Sequence, residues 1–146
     1  MATVRGCKFP DELYFDVARH VWYQLLADGT LRAGVTPVGV ALAREVLIFT
    51  PKPVDHSFST GRAIATIESA KWVGSVKAGF DGKIIGLNAA IMARAGMVNR
   101  DCYGEGWMFV LAPQKKDWAA TLVTGAAVAQ AYEDWMESMG FEGCQG

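Results

Sequence analysis

The chain has 146 residues, 51% of them hydrophobic, with 14 basic against 15 acidic side chains and a formal charge of −1. That length carries one cored domain and is short for two. A near-neutral chain with no basic block excludes an electrostatic nucleic-acid surface, and no apolar run approaches the length that spans a bilayer.

Residues 1–19 read as an opening arm in which Leu13, Phe15 and Val17 alternate, with Pro10 restricting any strand there to an edge. Residues 20–26 have strand character through Val21, Trp22, Tyr23, Leu25 and Leu26. Asp28-Gly29 is a hairpin signal, and the chain returns over residues 30–36. His20 reads as a structural histidine at the start of this strand. Thr36-Pro37 opens a short helix over 38–44, because proline has no N–H to leave unpaired at the first position and threonine can cap the turn. Residues 45–50 read as a strand whose unbroken run Val46, Leu47, Ile48, Phe49 predicts burial on both faces. Pro51-Lys52-Pro53 ends it. Asp55, His56, Ser57 and Ser59 follow in a proline-bounded loop without a second ligand pair, and read as exposed polar surface.

The stretch 63–77 predicts two strands joined by a tight turn over 68–71, with Lys71 at or near its tip. No Asn-Gly or Gly-Gly pair sets that turn, so the flanking strands must. Composition alone makes Lys71 a solvated hairpin lysine. Beyond it come a turn over 80–83, a strand over 83–87, and a helix over 90–95 capped by Asn88 and ended by Gly96. Residues 103–106 read as a flexible polar loop feeding a strand over 107–111. A final helix over 126–139 carries a stripe of Val128, Ala131, Tyr132, Trp135, Met136 and Met139 that predicts packing on the rest of the domain, with 140–146 frayed. Cys7, Cys102 and Cys144 are odd in number, far apart and outside any CxxC or metal-ligand spacing. Each reads as an isolated thiol in a reducing compartment. With no apolar signal core in MATVRGCKFPDEL, the expected location is the cytoplasm. No nucleophile, base and acid set is legible, so neither an autonomous catalytic centre nor a metal site is expected.

Two segments carry a resemblance. Glu68-Ser69-Ala70-Lys71 resembles the ESVK of lipoyl-carrying domains. Met97-Val98-Asn99-Arg100-Asp101-Cys102-Tyr103-Gly104-Glu105-Gly106-Trp107 is similar to a segment of glycine cleavage system H-like proteins, as are DGTLRAGVTPVG from Asp28, Gly82, and Leu87-Asn88. The resemblance covers about residues 20–112. It implies a mainly β fold, a barrel-sandwich hybrid of lipoyl and hammerhead type with short helices and a C-terminal helix. It also implies an N-terminal arm over 1–19, a carrier domain over 20–112, and a helical extension over 113–146 packed on the same domain.

The resemblance further implies lipoic acid in amide linkage to Lys71, with Glu68, Ser69, Ala70 and Trp72 flanking it and presenting it to a lipoate-attaching enzyme. Trp72 stands where the family has alanine, Val21 where it has glutamate, and Cys102 where it has proline. A ring at Trp72 offers a face to the swinging arm or to a partner, or packs in the core. Cys102 fills space or acts as a secondary thiol beside the dithiolane. The implied protein is a non-catalytic, monomeric carrier reoxidised by a dihydrolipoamide dehydrogenase-like flavoprotein. Its other partners are either the heterodisulfide-reductase-like complex of a sulfur-oxidation branch, favoured by the MATVRGC opening, Trp72, Cys102 and the ending with Tyr132-Glu133-Asp134-Trp135 and Cys144, or the glycine cleavage proteins; the remaining alternative is an unlipoylated scaffold or binding module.

Overall fold

Alternating apolar positions punctuated by turn residues make β-strands the main regular structure, in a computed structural model that describes residues 1–144. A first hairpin pairs β1 (Ala2–Val4) with β2 (Cys7–Phe9), and β3 (Tyr14–Asp16), β4 (Val21–Leu25) and β5 (Leu31–Val35) follow as an antiparallel run. Thr36 then caps α1 (Pro37–Ala43), its hydroxyl accepting from the Gly39 amide at 3.3 Å as the sequence predicts. The middle of the chain supplies β6 (Ile48–Pro51), β7 (Ser57–Phe58), β8 (Ala63–Glu68), β9 (Val73–Lys77) and β10 (Gly82–Leu87). Asn88 caps α2 (Ala89–Ala93) by accepting from the Ala90 amide. The remainder is α3 (Met97–Arg100), β11 (Phe109–Pro113), β12 (Val123–Thr124), a 3₁₀ turn over Gly125–Ala127, and α4 (Val128–Met139).

The strands form open sheets, which overturns the expected barrel-sandwich hybrid. Among the described residues there is a seven-stranded sheet ordered β12-β3-β4-β5-β11-β10-β7, a three-stranded sheet ordered β6-β8-β9, and the β1-β2 pair. The large sheet ends on two-residue strands at both edges, β12 and β7, so neither edge offers a ladder long enough to close on the small sheet. Instead the two sheets share a core. Leu31, Ala33, Ile84, Phe109 and Leu111 from the large sheet meet Phe49, Ile64, Ile67 and Val76 from the small one, all buried. Each large apolar side chain removed from water there contributes about 1.5–3 kcal/mol.

Three further expectations are corrected. The segment 45–50 is not buried on both faces: β6 is an edge strand, and Leu47 and Ile48 remain 56% and 50% exposed. The polar loop over 103–106 is tightly tied, because the Asp101 carboxylate accepts from the Glu105 amide and the Asp101 carbonyl from the Gly104 and Gly106 amides. The carboxy-terminal helix packs on the domain as its stripe predicts, in a second cluster where its Val128, Tyr132 and Met136 meet Val4, Phe9, Phe15 and Trp22. Phe9 stacks on Tyr132 with ring centroids 4.0 Å apart.

The third correction concerns the cysteines. Cys7 and Cys144 are not isolated thiols but a disulfide, their Cα atoms 5.0 Å apart across a sequence separation of 137. Residues 141–144 therefore do not fray. The Cys144 amide donates to the Arg5 carbonyl, and the Arg5 guanidinium donates to the Phe141 carbonyl and pairs with Glu133 and Glu137. Gly6 sits in the left-handed region at φ +81°, and a Cβ there would overlap the Cys144 carbonyl, so the crossing requires glycine. The expectation for 145–146 lies outside the described residues.

Candidate functional site

The hairpin β8-β9 is built on the alternation seen in the sequence. Ala65, Ile67 and Val76 are buried, Ile64 joins them where the register shifts between Ala63 and Ala65, and Glu68 faces Val73 where the ladder ends. The Ser69 amide donates to the Trp72 carbonyl at 2.8 Å, closing a turn one residue later than the sequence predicts and leaving Ala70 and Lys71 as its two central residues. Neither central residue has a positive φ, so the turn owes its shape to the paired strands and not to a glycine-type conformation. Lys71 is exposed at the tip.

A groove of about 590 Å³ opens beside that tip. One wall is Ser69, Ala70, Lys71 and Trp72; the other is Leu42, Arg44, Glu45 and Leu47. The second wall exists because α1 stops abruptly. Arg44 takes φ 66°, its amide donating to the Val40 carbonyl, and the chain then turns alongside the hairpin until the Leu47 amide donates to the Glu68 carbonyl. Asn99 pins the bend from behind: its Oδ1 accepts from the Val46 amide at 2.8 Å and its Nδ2 donates to the Arg44 carbonyl at 2.7 Å. Leu42 and Leu47 are apolar and exposed, Trp72 keeps 38% of its surface, and Arg44 and Glu45 supply the only charges of the wall opposite Lys71. Such a lining fits an uncharged hydrocarbon arm attached to the Lys71 nitrogen better than it fits an ion.

Of the residues singled out in the sequence, Ser69, Ala70, Lys71 and Trp72 are brought together at the groove, while Glu68 lies half-buried at the end of β8. Cys102 is elsewhere. It lines a different cavity of about 380 Å³, with Gly6, Lys8, Val40 and Cys144. Its carbonyl accepts from the Trp22 indole, and burial pushes its thiol up to about 12. His20 is packed edge-to-face on Trp135, with desolvation lowering its pKa, as befits a structural histidine. Among the described residues no group of three His, Cys, Asp or Glu side chains is placed to hold a metal ion, and no helix is long and apolar enough to cross a membrane. Sequence reasoning missed the groove's far wall. Its one available signal was Asn99, whose place in the Met97 to Trp107 segment has a structural cause in the two bonds it makes.

Comparison with known proteins then decides the family. The family model of the glycine cleavage H-protein matches residues 13–135. The chain belongs to the glycine cleavage H-protein family. It is 35% identical over 135 residues to glycine cleavage system H protein 2 of Aquifex aeolicus, covering 91% of this chain and 83% of that protein. It is 37% identical over 130 residues to H protein 5 of the same organism, covering 86% and 87%. Its fold resembles the crystal structure of a glycine cleavage system H protein from Mycobacterium marinum, with a TM-score of 0.74 at 24% identity, covering 91% of this chain and 100% of that one. Members of the H-protein family are non-catalytic lipoyl-carrier components, and membership implies a lipoyl-lysine cofactor and glycine-cleavage-type partners.

Proposed function

We propose that this protein is a lipoyl carrier of the H type and that Lys71 is the residue that carries the cofactor. The observation that supports this most directly is the pairing of an exposed lysine at the tip of a closed hairpin turn with an apolar groove beginning at that same lysine. When bound, the lipoyl group supplies a dithiolane that accepts and passes on a substituent by thiol–disulfide exchange. The chain's own part is mechanical. β8 and β9 hold the turn at a stiff edge of the small sheet, and Ala70 leaves the approach to the lysine open. Glu68, Ser69, Ala70 and Trp72 present it to the lipoate-attaching enzyme. A tether launched from a fixed point raises the effective concentration of its end at each partner.

In this reading the unit that carries the lysine is residues 20–112, with 1–19 and 113–146 as arm and extension. Its location is the cytoplasm, an inference that no longer draws on the cysteines now that Cys7 and Cys144 are joined. The names of the relatives favour glycine cleavage, with transfer of an aminomethyl group between a pyridoxal-phosphate decarboxylase and a tetrahydrofolate-dependent transferase, and reoxidation by a dihydrolipoamide dehydrogenase-like flavoprotein. A second reading, a sulfur-oxidation carrier serving a heterodisulfide-reductase-like complex, draws on two observations. Trp72 and Cys102 depart from the H-protein pattern, and Aquifex aeolicus holds several relatives, numbered 2, 3 and 5. Cys102, half-buried and outside the groove, fills space in either reading.

Intact mass of the protein from its native host, with fragmentation of the Lys71 peptide, tests the carrier. A lipoyl increment on Lys71, absent in K71R, is expected; an unmodified Lys71 in cells expressing the partners would overturn it. Loading of the lipoylated protein by a glycine decarboxylase tests the pathway. Failure there, with loading by a heterodisulfide-reductase-like complex, would transfer it to sulfur oxidation.

A further inference from the structure

The proline-bounded loop after β6 reads from the sequence as exposed polar surface, and the fold gives its side chains neighbours that the sequence does not announce. Two tight turns bring them together. The His56 amide donates to the Pro53 carbonyl at 3.1 Å, with Asp55 at φ 75° between them. The Arg62 amide donates to the Ser59 carbonyl at 3.1 Å, with Gly61 at φ 83° between them. Both turns are anchored to the strands, because the Ile84 amide donates to the His56 carbonyl and the Gly61 amide to the Ala78 carbonyl. The Lys52 amide donates to the Ile64 carbonyl, which sets Lys52 beside the start of β8. The result is an open cavity of about 430 Å³ in the notch between the two sheets. Lys52 and Arg62 reach it from the small sheet, while His56, Ser57 and Ser59 reach it from around β7, the edge of the large one, beside the buried Phe58. No carboxylate lines it. Asp81 is occupied elsewhere, accepting from the Thr60 amide and hydroxyl, and the four ion pairs among the described residues involve neither Lys52 nor Arg62.

We propose that this notch binds a phosphate-type dianion, free or as a small phosphomonoester, which bridges the two sheets. The charge count argues for a dianion: an ammonium and a guanidinium converge where nothing negative balances them, and a single carboxylate would leave one of them uncompensated. The donor set argues for phosphate. A guanidinium presents a planar fork that fits two phosphate oxygens, a lysine adds a point charge, and the serine hydroxyls and the imidazole N–H serve the remaining oxygen. The cavity also has the volume of a small-molecule site. A bound anion would tie Lys52 and Arg62 to β7 across the gap that the open sheets leave. Because the cavity lies at the start of β8 and Lys71 beyond its end, the lysine turn stays uncovered, and the proposal stands apart from the carrier reading.

The test is a titration of the full-length, nitrogen-15-labelled protein with glycerol 3-phosphate, inorganic phosphate and acetate at constant ionic strength. It is run at about pH 8, where a phosphomonoester is a dianion. Saturable amide shifts confined to residues 52–63 and the facing strand β10 are expected with the two phosphates and not with acetate. The unfolding midpoint should rise with phosphate concentration, as binding to the native state requires. R62A and K52A should each weaken binding at least about tenfold, and R62K should recover only part of the R62A loss, since an ammonium does not reproduce the fork. K115A, on a separate cavity, should bind as the wild type does. Spectra unchanged outside the notch show that the variants are folded. Tighter binding of the ester would uphold the site with a small phosphorylated molecule as its source, and equal binding would uphold it with free phosphate. Shifts that never saturate, or that survive undiminished in R62A and K52A, would overturn it. So would a hexaglutamate peptide that shifts the same amides when neither phosphate does, which would give the notch to an acidic segment of a protein partner.

Discussion

The two ends of this molecule are held in opposite ways. At the Lys71 end, a hairpin turn is closed by the bond between the Ser69 amide and the Trp72 carbonyl, beside a groove whose far wall depends on one side chain, Asn99. At the other end, the first hairpin, α4 and residues 141–144 are joined by a stacked aromatic core, an arginine that reaches Glu133, Glu137 and the Phe141 carbonyl, and a disulfide. The difference teaches where the fold tolerates looseness. A surface that must be entered by successive partners is built from exposed apolar walls and backbone pairing, whereas the seam that joins the chain's ends is cross-linked and needs no access.

Cutting the seam should have the largest effect. C144S removes a cross-link spanning a sequence separation of 137 and is expected to lower unfolding stability by about 2–4 kcal/mol in a denaturant titration, with lipoylation of Lys71 unchanged. Loss of lipoylation as well would mean that the two ends are not independent. Next is the thiol beneath the seam. Because burial raises Cys102 from an ordinary 9.0 to about 12, iodoacetamide at pH 8 should alkylate it at least about a hundredfold more slowly than an open thiol. Mass mapping of the alkylated peptide reads this directly, and fast labelling would return Cys102 to consideration as a working sulfur.

At the Lys71 end, N99A removes both bonds to the 44–46 bend and strands the Val46 amide. A loss of about 1–3 kcal/mol is expected, together with faster amide hydrogen exchange confined to residues 44–47. Exchange rising equally at the seam would contradict the separation drawn above. The smallest effect belongs to the seam's exposed ion pair. The Arg5 guanidinium, chiefly by hydrogen bonding, holds Glu133 below the ordinary glutamate value of 4.5. A depressed carboxylate stabilises the fold above its unfolded pKa and loses that contribution as pH falls through the native one. E133Q should therefore be slightly less stable than the wild type at neutral pH, the gap closing below pH 4.5 and shrinking with added salt.

Much of the path to the site is legible in the residues. Thr36-Pro37 and Asn88 cap their helices because their chemistry acts over two or three neighbouring residues, and the alternation from Ala63 to Lys77 produces the hairpin for the same local reason. The unbroken run 46–49 misleads because a continuous apolar stretch records hydrophobicity without recording which neighbours arrive. The edge position of β6 leaves Leu47 and Ile48 in the open, and Leu47 became a groove wall. The sheets stay open where closure was expected because β7 and β12 run for only two residues, a length that pairing decides and that composition does not announce.

The sequence by itself determined the hairpin, its lysine, the helix caps and the kinship carried by the two segments 68–71 and 97–107, all of them properties of residues close along the chain. Tertiary structure alone decided the partner of Cys7, the far wall of the groove, the close approach of Trp72 to Gly74 and the half-buried place of Cys102. Each of these depends on which distant backbone approaches, and that is set by the packing of two sheets on one core, not by any local preference.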